Sequence, residues 1–166
     1  MSPLDPDSLS RVLNRHGPAL VLYARQWCAS PEDVVQEAFV RLAGQRPPPR
    51  DPVGWLYRVV RNGAINESRS TGRRARREAA AAMHGEPWFH ASPDDCLDAA
   101  AATEALADLP IDQRETIVAR LWGGLAFEEI ARLTGSSTST VHRWYHQGLE
   151  ALRERLGVSC QNLKSP

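Results

Sequence analysis

The side chains best equipped for chemistry are concentrated in one stretch, TGSSTSTVHRWYHQG, Thr134 to Gly148. Six small hydroxyl residues, two histidines, Arg143 and Gln147 fall within fifteen positions there. His142 and His146 stand four apart, so on a helix they share a face and could begin a metal site. The HExxH protease signature fails, however, because Arg143 occupies the place of the general-base glutamate. A zinc-sensing regulator drawing also on His84, His90 and Cys96 is the weakest reading, and no metal is expected. No nucleophile–base pairing, phosphate loop or paired-carboxylate spacing occurs anywhere in the chain, so neither an enzyme nor a cofactor is expected. Reading nucleic acid is what remains. Hydroxyls and free backbone N–H groups at a helix start suit phosphates. The fork of Arg143 suits a guanine edge, and Gln147 suits adenine.

Those residues need a particular pair of elements to hold them. Phe127 to Leu133 has the spacing of a short amphipathic helix. Thr134-Gly135-Ser136 then makes a tight turn in which Gly135 can take positive φ. Ser137 can cap a second helix whose buried positions would be Val141, Tyr145, Leu149 and Leu152. Two helices joined by such a turn form a helix-turn-helix. Its groove-facing set would be Thr138, Ser139, Thr140, His142, Arg143, His146 and Gln147, with Ser137 at the cap. An ordinary helical hairpin with a polar face is the plainer alternative. Upstream, Pro110 opens a helix with Ile117, Val118, Leu121 and Trp122 on its apolar face, stopped by Gly123-Gly124.

The first half is also helical in period. Leu9 to Trp27 has helical apolar spacing, with Pro18 expected to kink or break it. Ser30-Pro31-Glu32-Asp33 carries an N-cap hydroxyl, a first-turn proline and two acids that suit the helix dipole. The helix it starts places Val34, Val35, Ala38, Phe39 and Leu42 on one face. Pro47-Pro48-Pro49 ends it as a stiff connection. Asp51-Pro52 starts another helix, with Trp55, Leu56, Val59, Val60 and Ile65 apolar and its arginines elsewhere. From Glu78 to about Ser92 the helical period is lost. No stretch reads as a convincing strand. The fold class is therefore all-α: two small helical modules, 5–78 and 94–158, joined by a flexible acidic linker at 79–93, the second module a helix-turn-helix.

The formal net charge of zero over 166 residues conceals a division. Residues 55–78 carry seven arginines against two glutamates, whereas residues 79–110 carry six acids and no Lys or Arg. Local potential within a Debye length matters to nucleic acid, so a neutral sum excludes nothing. Three scattered cysteines without a CxxC fit reduced thiols in a cytoplasm. No apolar run reaches the roughly 18–20 residues of a membrane span, and the start MSPLDPDSL lacks the order of a signal peptide. A cytoplasmic protein without membrane insertion is the expectation.

Taken in order, ALADLP, QRE, IVARLWGGLAFEEIARLTG and TVHRWYHQGLEALRERL resemble region 4 of the ECF (extracytoplasmic-function) group of bacterial RNA polymerase sigma factors. SPEDVVQEAFVRLAG resembles that family's clamp-binding region, and WLYRVVRNGAIN with its arginine-rich sequel resembles the −10-reading helix. The resemblance spans both modules in order. It implies a sigma factor that directs core RNA polymerase to promoters, by −10 recognition and melting and by −35 binding; a stand-alone helix-turn-helix regulator is the alternative. It implies that Asp33, Gln36, Glu37 and Phe39 meet the β′ clamp helices of core polymerase, whose β subunit is a further partner. It places Arg58, Arg61, Asn62, Asn66 and Arg69 on the −10 promoter DNA, beside a pocket for a flipped base, a step costing a few kcal/mol. Arg73, Arg74, Arg76 and Arg77 would grip phosphates, since a dense arginine run supplies affinity with little sequence information. An anti-sigma factor is a further implied partner. His142, Trp144 and Gln147 stand where the family often carries Lys or Arg, which implies weaker −35 binding that responds to pH through imidazole charge.

Overall fold

A computed structural model describes residues 5–70 and 99–160. Every regular element among them is helical: α1 (Pro6–Ala24), α2 (Pro31–Gly44), α3 (Pro52–Ser70), α4 (Ala99–Ala107), α5 (Ile111–Leu121), α6 (Phe127–Thr134) and α7 (Thr138–Cys160). The first three form one layered group and the last four another. The proposed linker, 79–93, and the arginine run from Arg73 to Arg77 lie outside the described residues.

Local chemistry explains most of the boundaries. Asp5 caps α1, accepting from the Ser8 backbone N–H at 2.7 Å, with Pro6 as the first helical residue. Asp51 caps α3 in the same way, accepting from the Gly54 N–H at 3.0 Å. Ser30 occupies the cap position of α2, with φ −118° and ψ 60°, but makes no side-chain cap bond. Pro31 and the acids Glu32 and Asp33 start that helix instead. Pro18 does not break α1. Pro18 and Asn14, whose carbonyl it leaves without a donor, are both exposed, so water can serve that carbonyl and the helix continues.

Leu20, Tyr23, Val35, Phe39, Leu56, Tyr57 and Val60 from the first group share one continuous core with Leu106, Ile117, Val118, Ile130 and Val141 from the second. α5 is the axis of this arrangement, covered by α7 on one side and by α1 on another. Six consecutive residues of α5, Arg114 to Ala119, are consequently buried, charged and apolar alike. The apolar face expected for this helix is corrected at its end. Ile117 and Val118 are buried, but Leu121 (52% exposed) and Trp122 (41% exposed) emerge where α5 runs past its neighbours. Arg114, lowered by burial to about 10, donates to the Ala107 carbonyl at 2.9 Å, a cation at the C-terminus of α4. Gly148 lets α7 cross α5 closely: a Cβ there would come within 2.6 Å of Ile117 Cδ1.

Candidate DNA-binding and polymerase-binding surfaces

The turn between α6 and α7 has the anticipated geometry. Gly135 ends α6 in the left-handed region at φ 71°. Ser137 Oγ accepts from the Thr140 backbone N–H at 3.2 Å and lies 2.9 Å from Thr140 Oγ1 and 3.2 Å from Ser139 Oγ. At the other end of α6, the Glu129 carboxylate accepts from the Ala126 N–H at 2.6 Å. Val141 is fully buried and fixes the roll of α7. Ser137, Ser139, Arg143, His146 and Gln147 are exposed, while Thr138 and Thr140 are half-buried in the first turn. Tyr145, Leu149 and Leu152 are only half-buried, since Gly148 takes the closest approach to α5.

His142 differs from its neighbours in the groove-facing set. Its exposed ring lies 3.9 Å from the Phe127 ring, centroid to centroid, and 6.3 Å from His146 in a stacked pair. The Arg120 guanidinium lies 4.8 Å from the centroid of the same Phe127 ring. Imidazole, benzyl ring and guanidinium therefore bind α7 to the start of α6, with one ring face of His142 committed to that contact.

On α2, Asp33, Gln36 and Glu37 are exposed along one face, with Glu37 paired to Arg41 at 2.8 Å. Phe39 is 7% exposed and belongs to the core, so it supports this face from within and presents nothing on it. Val40, 68% exposed, stands three and four residues beyond Glu37 and Gln36. Sequence reasoning passed over it, although a valine at a solvent position of an amphipathic helix is the available signal. A groove of about 470 Å³ separates α2 from α3, with Asp33, Glu37, Asn62 and Asn66 among its walls. It brings residues assigned to the clamp and residues assigned to the −10 element to one cleft. Arg58 and Arg69 are exposed on α3.

Arg61 is the exception on α3. Its Nε donates to Glu115 Oε1 at 2.7 Å and its Nη2 to Oε2 at 3.4 Å, while its guanidinium lies 5.9 Å from the Trp27 ring centroid. Glu115, on α5, is 1% exposed and also accepts from the Tyr23 hydroxyl at 2.5 Å. Burial on its own would lower the Arg61 pKa, but the Glu115 hydrogen bond and charge more than offset it and the net shift is upward. Burial first, then Glu115, pushes the Tyr23 hydroxyl well above its ordinary range. Sequence reading missed Glu115 because its partners are 54 and 92 residues away.

Comparison with known proteins places both groups. Residues 12–74 match the family model described as Sigma-70 region 2, and residues 99–152 match Sigma-70, region 4. The chain is 32% identical over 167 aligned residues to the ECF RNA polymerase sigma factor SigL of Mycobacterium tuberculosis, covering 92% of this chain and 93% of the relative. It is 30% identical to the RNA polymerase sigma factor CarQ of Myxococcus xanthus, covering 91% and 90%. Among solved structures, CnrH in complex with the cytosolic domain of CnrY aligns with TM-score 0.60 at 25% identity, over 93% of this chain and 90% of that one. The sigma factor RpoE, in complex with the anti-sigma factor NepR from Bartonella quintana, aligns with TM-score 0.69 at 23% identity over 93% and 99%, a likeness of fold. With both family regions present in order and a full-length relative at this identity, the chain belongs to the ECF family of RNA polymerase sigma factors.

Proposed function

We propose a division of labour for the promoter-directed initiation this family carries out. α7 reads the −35 element, α3 reads and melts the −10 element, and α2 docks on the β′ clamp helices of core polymerase, with β as a further contact. The observation that carries this reading is the two-sidedness of α7: Val141 wholly buried, Ser139, Arg143, His146 and Gln147 exposed on its opposite faces. A recognition helix needs that combination, one side anchoring its roll and the other free for base edges. In this reading Arg143 and Gln147 contact bases, while Ser137 to Thr140 receive phosphates at the helix start. His142 acts mainly as a positioning residue between α6 and α7. Asp33, Gln36, Glu37 and exposed Val40 form the docking face. Arg58, Asn62, Asn66 and Arg69 line the −10 surface, joined by Arg61 when it is free, and Arg73, Arg74, Arg76 and Arg77 hold phosphates.

The chain works through binding in this reading, with no catalysis or cofactor of its own, in the cytoplasm where polymerase acts. None of the helices among the described residues is long and apolar enough to cross a membrane. An anti-sigma protein is the third partner proposed. The deciding experiment is run-off transcription with purified core polymerase on promoter libraries. Promoter-specific transcripts that require this chain are the expected result. Tight duplex binding by the free chain, with no transcript, would favour a stand-alone regulator.

A further inference from the structure

We propose that Arg120, although it belongs to α5 and lies outside the groove-facing set, is a positioning residue for −35 recognition: it holds Phe127 as the platform on which α7 is set. The inference rests on the −35 reading of α7. Arg120 is half-buried near the end of α5 and makes two contacts at once. Its Nη1 donates to the Leu125 carbonyl at 2.9 Å, and its guanidinium carbon lies 4.8 Å from the centroid of the Phe127 ring. A guanidinium can donate from its edge while its body lies over a ring, whereas the ammonium of lysine is a point charge. Leu125 is buried, and its own N–H donates to the Ala119 carbonyl at 3.1 Å. The loop that turns at Gly124 (φ 67°) is therefore held through both polar groups of one residue. Two positions later Phe127 opens α6.

Phe127 passes that order to the recognition helix. Its ring meets two α7 side chains about a turn apart: His142 at 3.9 Å and, edge to face, Tyr145 at 5.2 Å between centroids. His146 continues the row, 6.3 Å from His142 and 5.7 Å from Tyr145. Val141 and Gly148, seven residues apart and both buried, set which side of α7 faces the core. Contacts off that line set the final angle of the helix, and His142 and Tyr145 supply them. Arg143 and Gln147 directly follow His142 and His146, so that angle decides where their polar groups stand. A base contact must be held within about 0.5 Å of its productive geometry. Loss of Arg120 should therefore blur reading before it weakens attachment, because Ser137 to Thr140, which receive phosphates in this reading, lie beside the Val141 anchor.

The test measures discrimination: the ratio of holoenzyme affinities for the preferred −35 sequence and for its single-base variants. Arg120→Ala and Arg120→Lys should each lower that ratio several-fold, with the slope of log affinity against log salt unaltered. Full discrimination in Arg120→Lys would mean that charge alone suffices, which overturns the positioning role. An equal loss on every sequence, with the salt slope flattened by up to roughly 0.9, would make Arg120 a phosphate contact and also overturns it. Placed in a His142→Ala chain, Arg120→Ala should cost less discrimination than it does alone, since residues acting through one contact are not additive. Fully additive losses overturn the route through Phe127. Phe127→Leu keeps apolar bulk, removes the ring and carries the test should Arg120→Ala lose its helical signal; undiminished discrimination in that variant overturns the proposal. Arg143→Ala separates the two failures. If it leaves discrimination unchanged, the −35 reading of α7 falls and the proposal with it; if it lowers discrimination while the Arg120 variants do not, the positioning role alone falls.

Discussion

Arg143 and Tyr57 are single side chains whose surroundings make opposite demands. Arg143 is exposed two positions beyond buried Val141, with no partner for its fork among the described residues. Arg143→Ala should therefore leave stability unchanged and cost about 1–3 kcal/mol of holoenzyme affinity at promoters with the preferred −35 base, with little effect where that base is absent. Binding assays across −35 variants measure this, and an equal loss on every sequence would make Arg143 a phosphate anchor. Tyr57 carries a buried hydroxyl with no hydrogen-bond partner among the described residues. Tyr57→Phe removes a group that never recovered its lost hydration, so stability at neutral pH should stay within about 1 kcal/mol or rise. Denaturant unfolding of the two proteins decides it.

Among the elements, α2 and α7 show how one helix serves two surfaces. The buried side of α2 is Val35, Ala38, Phe39 and Leu42, and the exposed side is Asp33, Gln36, Glu37 and Val40. Reversing Asp33 and Glu37 to Lys should abolish pull-down of the β′ subunit while the fold is retained, the lost first-turn acid and Glu37–Arg41 pair costing about 1 kcal/mol. Retained pull-down would remove α2 from the docking role. For α7 the sensitive position is Gly148, where α5 approaches most closely. Gly148→Val should drive the new side chain into Ile117 and destabilise the fold by about 1–3 kcal/mol, measured by chemical denaturation. A neutral outcome would mean that α5 and α7 can move apart at no cost.

At the scale of the whole molecule, two groups of helices share one apolar core and a buried polar cluster around Glu115. Tyr23 and Tyr57, both of the first group, lie edge to face at 4.9 Å, and burial raises both hydroxyls above their ordinary value of 10.0. The folded chain keeps two protons that the unfolded chain releases above about pH 10, so their contribution is constant below that pH and is lost as pH rises through and beyond it. Unfolding free energy measured from pH 8 to 11 should bend downward near the upper end, and Tyr57→Phe should soften the bend. A second whole-molecule prediction concerns charge. Replacing Arg73, Arg74, Arg76 and Arg77 with Ala should weaken holoenzyme binding about equally on all promoters. The slope of log affinity against log salt should flatten by up to roughly 0.9 for each phosphate no longer neutralised. A deficit confined to one −10 variant would show that these arginines read bases.

The sequence by itself determined the helices, the turn and the family, because those features are written in neighbouring residues. Asp51 with its following proline, Gly135 at its turn and Ser137 at its cap act over three or four positions, and the structure shows them where spacing placed them. Tertiary structure decided what local rules could not reach. Pro18 stays inside α1 because it and Asn14, whose carbonyl it leaves without a donor, are both exposed to water. Leu121 and Trp122 are exposed because α5 outruns its neighbours, a matter of where other helices stop. His142 packs on Phe127 although its position on the helix predicts a free ring. Above all, Glu115 reads in the sequence as one more acid of an amphipathic helix. Its burial, and its hold on Tyr23 and Arg61, exist only because the second group of helices packs against the first.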